Sequence, residues 1–220
     1  MEEKGDDLHL SAYAVDDGTQ EKIKDDLNRI LEHFGCEELF LPIFSCINEL
    51  LVNAVKANYK NLYFENYSPR NKAMQLIPYD KALALFRLEM QHNGAGRLAE
   101  MARMRDMKAS LDLHIDNGIM CITVANPSPM TEIETKNVLK KMRAVASKQE
   151  LAQYYTINGE DPKNEGAGLG IIFIGMMLRN LGLSPDNLSV SSDGAATTAS
   201  LFIPLTMETL NSYRSVSEGL

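Results

Sequence analysis

The chain has 220 residues, of which 45% are apolar and 24% charged, and its net charge is −8. This composition is that of an ordinary globular domain, and it excludes collagen-like, disulfide-rich and largely disordered chains. An acidic chain without a basic stripe is also not typical of a nucleic-acid binder. We therefore predict one domain over residues 1–220, with no nucleic acid among its partners.

The cysteines and the N-terminus indicate the compartment. Cys36, Cys46 and Cys121 are far apart and form no metal-binding spacing, which favours reduced and mostly buried thiols. The N-terminus lacks the basic and apolar regions of a signal peptide, and the longest apolar run, around 168–178, is too short to cross a bilayer. We predict a cytoplasmic chain with no membrane insertion of its own; a soluble piece of a longer membrane-bound protein is the alternative.

The first half of the chain begins with a strand and two helices. Residues 8–15 alternate in polarity, an amphipathic helix follows and ends at Gly35, and a second helix is predicted over 41–59. Residues 65–108 are predicted to be a helical insertion in two pieces, separated at 93–96 by Asn-Gly-Ala-Gly. The methionines of this segment favour a core role, with a partner-binding face as the alternative.

The second half changes to a period of two. A hairpin is predicted over 110–124 because Asn117-Gly118 favours a tight turn. His114 falls on the polar side of its first strand and is expected at the surface. Two helices and a second hairpin follow, at 132–154, 169–181 and 187–203. This order predicts an α+β fold, a two-layer sandwich whose mixed, mostly antiparallel sheet is covered by helices on one face.

Three polar residues lie on one face of the second predicted helix. Glu49 and Asn53 are four residues apart, and Asn53 and Lys56 are three apart. A carboxylate, an amide oxygen and an ammonium in this arrangement can activate a water molecule, hold Mg²⁺ and neutralise a phosphate. The alternative is a solvated helix face with a weak contact between the glutamate and the amide.

A glycine-rich segment, Gly166-Ala-Gly-Leu-Gly170, directly precedes an apolar helix. Glycines let the backbone approach a ligand closely, and the helix N-terminus presents free N–H groups to a phosphate. The segment is neither a P-loop nor a dinucleotide fingerprint. As an isolated pattern it is also typical of an ordinary helix start.

The last hairpin contains a third pattern. Gly194 is followed by small residues and Thr197, and the strand ends at Ile203-Pro204. Small side chains let a planar group lie close to the backbone, and the threonine offers a hydroxyl.

Together and in this order, the three patterns resemble the motifs of the Bergerat-type ATP-binding domain. Sensor histidine kinases, gyrase-type topoisomerases, mismatch-repair ATPases, the large heat-shock chaperones and the anti-sigma-factor serine kinases share that domain. The resemblance covers residues 37–64 and 109–205, and the organisation is most similar to the stand-alone serine kinases or to a sensor-kinase catalytic domain. The matching positions are Glu49, Asn53, Ala54, Lys56, Gly166, Gly168, Leu169, Gly170, Gly194, Thr197, Ile203 and Pro204.

The resemblance implies a role for each position. Glu49 would be catalytic, orienting or deprotonating a nucleophile, and Asn53 would bind both the nucleotide and Mg²⁺. Residues 130–165 would form a lid over the nucleotide. The other implied nucleotide contacts are Lys56, Lys163, Gly166, Gly168, Leu169 and Gly170 at the phosphates, and Asn126 and Thr197 at the base.

One motif departs from the family pattern. The family has Asp-x-Gly-x-Gly after the central strand, where the aspartate accepts the adenine amino group. Here Asn126 takes the place of the aspartate, and Pro127 and Ser128 follow it. An amide can accept a hydrogen bond from an amino group or donate one to a carbonyl. Adenine and a different base both remain open at this position.

Two functions follow from these observations. The first is a nucleotide-binding domain, with ATP as the expected ligand, in a bacterial-type signalling protein that acts as an ATPase or as a histidine or serine/threonine protein kinase. The second is a degenerate domain that binds a protein partner through residues 65–108, or a different nucleotide. The intact Glu49 and Asn53 favour the first, and the altered aspartate motif favours the second.

Overall fold

The structure, a computed structural model, describes residues 7–67, 78–146 and 169–219. Helices and strands follow one another along the chain broadly in the predicted order. The elements are β1 (Leu8–Ala12), α1 (Asp17–His33), α2 (Phe40–Tyr67), α3 (Tyr79–Glu89), α4 (Ala95–Met104), β2 (Ala109–Asp116), β3 (Ile119–Asn126), α5 (Glu132–Ala146), α6 (Leu169–Asn180), β4 (Leu188–Ser192), β5 (Thr197–Pro204) and α7 (Met207–Ser217).

Five strands form one sheet in the order β1-β2-β3-β5-β4, and each neighbouring pair is antiparallel. The predicted fold class, an α+β two-layer sandwich, is confirmed. The sheet was expected to be mixed, but among the described strands every neighbouring pair is antiparallel and no parallel pair is seen. Both predicted hairpins are present, as β2–β3 and β4–β5.

The two faces of the sheet differ in polarity. On one face the strands carry buried apolar side chains, such as Leu111 of β2 and Ile122 of β3, which belong to the same core as the helices. On the other face His9 of β1 pairs with Asp112 of β2, and His114 is exposed as predicted. The alternation at period two therefore assigns one side of the sheet to the helices and the other to solvent.

Helix α2 is the central helix of the core and has 28 residues, more than the predicted 41–59. Its buried positions include Ile47, Leu51 and Leu62, which are fully inaccessible. Over Glu37–Glu65 the helical segment is long and apolar enough to cross a membrane, but half of its apolar 18-residue stretch is buried inside the fold. This burial is the pattern of a core helix, whose apolar residues face the sheet and other helices.

Residues 79–104 also differ from the prediction. The expected break at 93–96 is wrong, because the chain passes from α3 to α4 through a π-helical turn at Met90–Gly94. Gly94 is required there, since an added Cβ would lie 2.5 Å from the Glu89 carbonyl oxygen. The inner side chains Phe86 and Leu98 join the main core. The segment is thus part of the packed fold along its inner side, while Leu85 and Leu88 are exposed.

The three cysteines are free thiols, as predicted; Cys36 and Cys46 are buried and Cys121 is partly buried. Burial, with a smaller contribution from Glu49, raises the pKa of the Cys46 thiol to about 12. The thiolate is the reactive form of cysteine, so Cys46 is a neutral core side chain at physiological pH.

Candidate functional site

The predicted polar face of α2 forms around a direct contact. The Asn53 side-chain amide donates a hydrogen bond of 3.0 Å to Oε1 of Glu49. Because a carboxylate only accepts, this bond directs the Asn53 Nδ2 to Glu49 and leaves the amide oxygen of Asn53 turned away from it. Lys56 lies one turn further on and is exposed. A solvated helix face would also allow the contact, so the surroundings of Glu49 decide between the two interpretations.

Gly170, in the first turn of α6, lies directly against Glu49. A Cβ built on Gly170 would collide with Oε1 of Glu49 and lie 2.7 Å from its Cδ, well inside van der Waals contact. The two predicted motifs, more than a hundred residues apart in sequence, therefore meet here. Glycine is needed at position 170 because the Glu49 carboxylate occupies the space that a side chain would take.

A Gly170→Ala substitution is expected to displace the Glu49 carboxylate and break its bond to Asn53. The atoms that must move belong to one flexible side chain, so the free energy of unfolding should change by no more than about 1 kcal/mol. Thermal denaturation checks the stability, and the ATP binding and turnover proposed below should fall sharply.

The matched control is Gly96→Ala in α4, where nothing lies within 4 Å of the added Cβ. That change is expected to stabilise the protein by about 0.5–1 kcal/mol, because alanine loses less backbone entropy in a helix. Equal effects of the two substitutions on ligand binding would contradict the proposed close packing at Gly170.

Several predicted nucleotide contacts cannot be compared with the structure. Lys163, Gly166 and Gly168 lie outside the described residues, and for Leu169 the backbone alone is described, as the first residue of α6. Of the predicted lid, 130–165, the described part extends to residue 146. These assignments stay predictions.

The two predicted base contacts lie side by side. Asn126 at the end of β3 pairs with Thr197 at the start of β5. Asn126 lies on the same face of the sheet as Ile122, and Thr197 lies on the same face as Leu201. The buried side chains of Ile122 and Leu201 face the helices. Asn126 is 5% exposed, whereas Thr197 is partly exposed. Strand register thus brings together two residues that the sequence placed in different motifs.

Asn126 is held by a buried polar cluster, which we define as Asn58, Asn126, Ser128 and Thr197. The Asn126 amide donates to Oδ1 of Asn58 and to the carbonyl oxygen of Ser128, both at 3.3 Å. The Ser128 hydroxyl donates to the same Asn58 oxygen at 2.9 Å, and the Thr197 hydroxyl donates to the Ser128 carbonyl at 2.7 Å. The segment that begins at Asn126 is therefore hydrogen-bonded to α2 through Asn58.

The start of α5 is tied to α2 and α3 by Glu134. The Thr131 backbone N–H donates to Oε2 of Glu134 at 2.7 Å, and the Glu134 N–H donates to the Thr131 hydroxyl at 3.3 Å, which is a capping box. The other carboxylate oxygen accepts the Tyr79 hydroxyl at 3.2 Å and forms an ion pair with Lys60. The Lys60 and Glu134 side chains are 11% and 12% exposed.

At its other end α5 packs closely on α6 at Gly175. A Cβ added to Gly175 of α6 would collide with Val145 of α5, and Val145, Ile172, Ala144 and Met176 form a second apolar cluster. The described part of the predicted lid is therefore a docked helix, held by an ion pair at its start and by close helix packing at its end.

Asn58, Lys60, Ser128 and Glu134 were not predicted as site residues. Glu134 had a local signal, because Thr131-x-x-Glu134 is the capping-box pattern. The other three had no such signal, because Asn58 meets Ser128 and Lys60 meets Glu134 from positions distant in sequence. Within 7–67, 78–146 and 169–219 no group of three His, Cys, Asp or Glu side chains is close enough to hold a metal ion. The Asn53 amide oxygen, turned away from Glu49, suits Mg²⁺, which usually takes one or two protein ligands and completes its shell with water and phosphate.

The sheet and its helices define the chain as an α+β two-layer domain in which Gly170 of α6 lies against Glu49 of α2. The chain is 27% identical over 169 residues to a protein of Treponema pallidum strain Nichols described as uncharacterized. The match covers 74% of this chain and 31% of that protein, so the chain spans about a third of its relative. No family model matches the chain, and no solved structure matches it.

Proposed function

We propose that this chain is a nucleotide-binding domain whose ligand is ATP with Mg²⁺, and that it acts as a protein kinase or ATPase in cytoplasmic, bacterial-type signalling. The observation that carries the proposal is the close approach of Glu49 and Gly170. Two sequence motifs that resemble those of one ATP-binding family meet at a polar carboxylate, where unrelated surface patterns have no reason to meet.

The polar groups of α2 suit the handling of a polyphosphate. One oxygen of Glu49 accepts from Asn53, and a carboxylate has a second oxygen that can accept a proton from a water molecule or a protein hydroxyl. Lys56, exposed one turn further along α2, supplies a positive charge for a phosphate. Mg²⁺, when bound, would neutralise charge on the phosphate oxygens, and Asn53 is the described residue that fits it best.

Ligand-induced stabilisation tests the binding part of the proposal. At a concentration near 100 Kd, ATP with Mg²⁺ is expected to raise the melting temperature by about 5–10 °C, because the ligand binds the folded state alone. Asn53→Ala should abolish most of the shift, and Asn211→Ala, an exposed change on α7, should leave it intact. Absence of a shift for ATP, ADP and GTP in the unmodified protein would refute nucleotide binding.

The degenerate-domain alternative has its own supporting observation. The side chains of Asn126 and Ser128 donate their hydrogen bonds within the protein, and Leu85 and Leu88 expose an apolar strip on α3. A non-catalytic domain that binds a protein partner would combine these features. Glu49→Gln separates the two functions: if the domain is catalytic, turnover of ATP should fall at least about a hundredfold while binding persists. A protein that binds ATP without turnover in either form is the non-catalytic domain.

A further inference from the structure

The buried polar cluster fixes which way the Asn126 amide points. The Met107 carbonyl oxygen accepts a hydrogen bond of 3.1 Å from the Asn58 amide nitrogen. A carbonyl can only accept, so Nδ2 of Asn58 must face Met107, and Oδ1 of Asn58 must face Asn126 and Ser128. The orientation of one buried amide is thus set by a backbone group outside the cluster.

The same reasoning then fixes Asn126. Its amide meets two acceptors, Oδ1 of Asn58 and the carbonyl oxygen of Ser128, each at 3.3 Å. Both hydrogens of the Asn126 NH₂ group are donated within the protein. If the Asn126 amide were reversed, its Oδ1 would face Oδ1 of Asn58 and the Ser128 carbonyl oxygen, and no hydrogen bond could form. Among the described residues no donor meets the Asn126 Oδ1. Towards a ligand, Asn126 is therefore an acceptor.

Thr197 is constrained in the same sense. Its hydroxyl hydrogen is donated to the Ser128 carbonyl at 2.7 Å, so towards any other group its oxygen can only accept. Asn126 and Thr197 are paired across β3 and β5. At this end of the sheet both side chains can therefore accept a hydrogen bond from a ligand, and neither has a hydrogen left to donate.

We infer that Asn58 is a positioning residue that makes this end of the site select a ligand carrying an amino group and reject one carrying a carbonyl at the same place. The inference rests on the proposed nucleotide binding and settles the alternative that an asparagine leaves open. Asn58 does not touch the ligand; it holds the amide of Asn126 in its accepting orientation. A 6-aminopurine nucleotide meets the requirement, and a 6-oxopurine nucleotide places oxygen against oxygen.

Binding of ATP and inosine triphosphate, measured by calorimetry with Mg²⁺, tests the inference. The two nucleotides carry an amino and an oxo group at the 6-position, with the accompanying change at ring N1. ATP is expected to bind at least about tenfold more tightly, because a buried acceptor without a donor loses its hydrogen bond and its hydration. Equal binding, or tighter binding of inosine triphosphate, would overturn the inference while leaving nucleotide binding in place. Binding of neither would remove the proposed function and this inference together.

Two Asn58 variants of similar volume test the positioning role. Asn58→Asp keeps an oxygen facing Asn126 and should keep the ATP preference within about twofold, whereas Asn58→Leu removes that acceptor and should lower the preference several-fold. Both variants lose the bond to Met107. If Asn58 were purely structural, both would lose stability, and the ratio of ATP affinity to inosine triphosphate affinity would be the same in the two variants. An Asn58→Leu variant with the same affinity ratio as the unmodified protein would refute the positioning role. The comparison of the two nucleotides in the unmodified protein does not depend on whether either variant folds.

Discussion

Replacing Lys60 with methionine is expected to lower the free energy of unfolding by about 3–5 kcal/mol. The change leaves the Glu134 carboxylate, 12% exposed, without its opposite charge, and an uncompensated buried charge is among the most destabilising changes in a protein. Urea denaturation, with the midpoint and slope compared with those of the unmodified protein, measures the loss.

The neighbouring lysine of the same helix provides the control. Lys56→Met removes the same charge at an exposed position of α2 and should change stability by less than about 0.5 kcal/mol. The double variant Lys60→Met with Glu134→Gln should recover part of the loss, because glutamine carries no charge. Its one side-chain oxygen can still accept from the Thr131 N–H, and its NH₂ group can donate to the Tyr79 hydroxyl oxygen. If Lys60→Met and Lys56→Met were equally mild, the ion pair would not stabilise the fold.

This ion pair joins the predicted lid to helix α2. Lys60 lies on the same helix as Glu49 and Asn53, and its partner Glu134 lies in the first turn of α5. The first turn of the predicted lid is therefore fixed to the helix that carries the proposed catalytic residue. We expect any closing motion over a nucleotide to leave residues 131–134 in place.

Placing an aspartate at position 126, as in the ATP-binding family whose motifs this sequence resembles, is expected to destabilise this protein. Asn126→Asp replaces the amide nitrogen by an oxygen, 3.3 Å from two acceptors, so the cluster loses two hydrogen bonds and buries a charge. The free energy of unfolding should fall by about 3 kcal/mol or more at pH 7. Thermal or urea denaturation at a series of pH values measures it.

The pH dependence of that loss has a definite sign. Burial among oxygens would raise the pKa of the new carboxyl above its unfolded value of about 4, so the folded state would hold the proton more tightly. The deficit should therefore be smallest below pH 4 and grow as the pH rises through the folded-state pKa. Asn211→Asp, exposed on α7, is the control and should show neither the loss nor this dependence. A stable Asn126→Asp variant at pH 7 would mean that the amide orientation inferred above is wrong.

Much of the fold could be predicted because its signals are local. Alternation at period two gave the strands of both hairpins, and the turns follow from residues that tolerate positive φ: Asn117 at 50°, Gly118 at 77° and Gly194 at 88°. Spacing along α2 placed Glu49 and Asn53 on one face, and their hydrogen bond follows from that spacing. These features depend on residues a few positions apart.

The misses share a physical cause. Asn-Gly-Ala-Gly predicted a break between α3 and α4, but packing of Phe86 and Leu98 in the core favours a continuous helix with one π-helical turn. Helix α7 was not predicted; Thr206 caps it, and Arg214 pairs with Glu38 near the start of α2. Core packing overrode a local breaker in the first case, and a partner far away in sequence ties down the element in the second.

The sequence by itself determined the α+β class, the two hairpins and the set of polar residues on α2, because periodicity and turn chemistry act over a few residues. The tertiary structure alone decided that Gly170 lies against Glu49, that Lys60 faces Glu134 and that Asn58 orients Asn126. Each of these contacts joins residues 68 or more positions apart. Their hydrogen-bonding and steric constraints exist only once the sheet and α2 are packed together, and no pattern within one segment carries them.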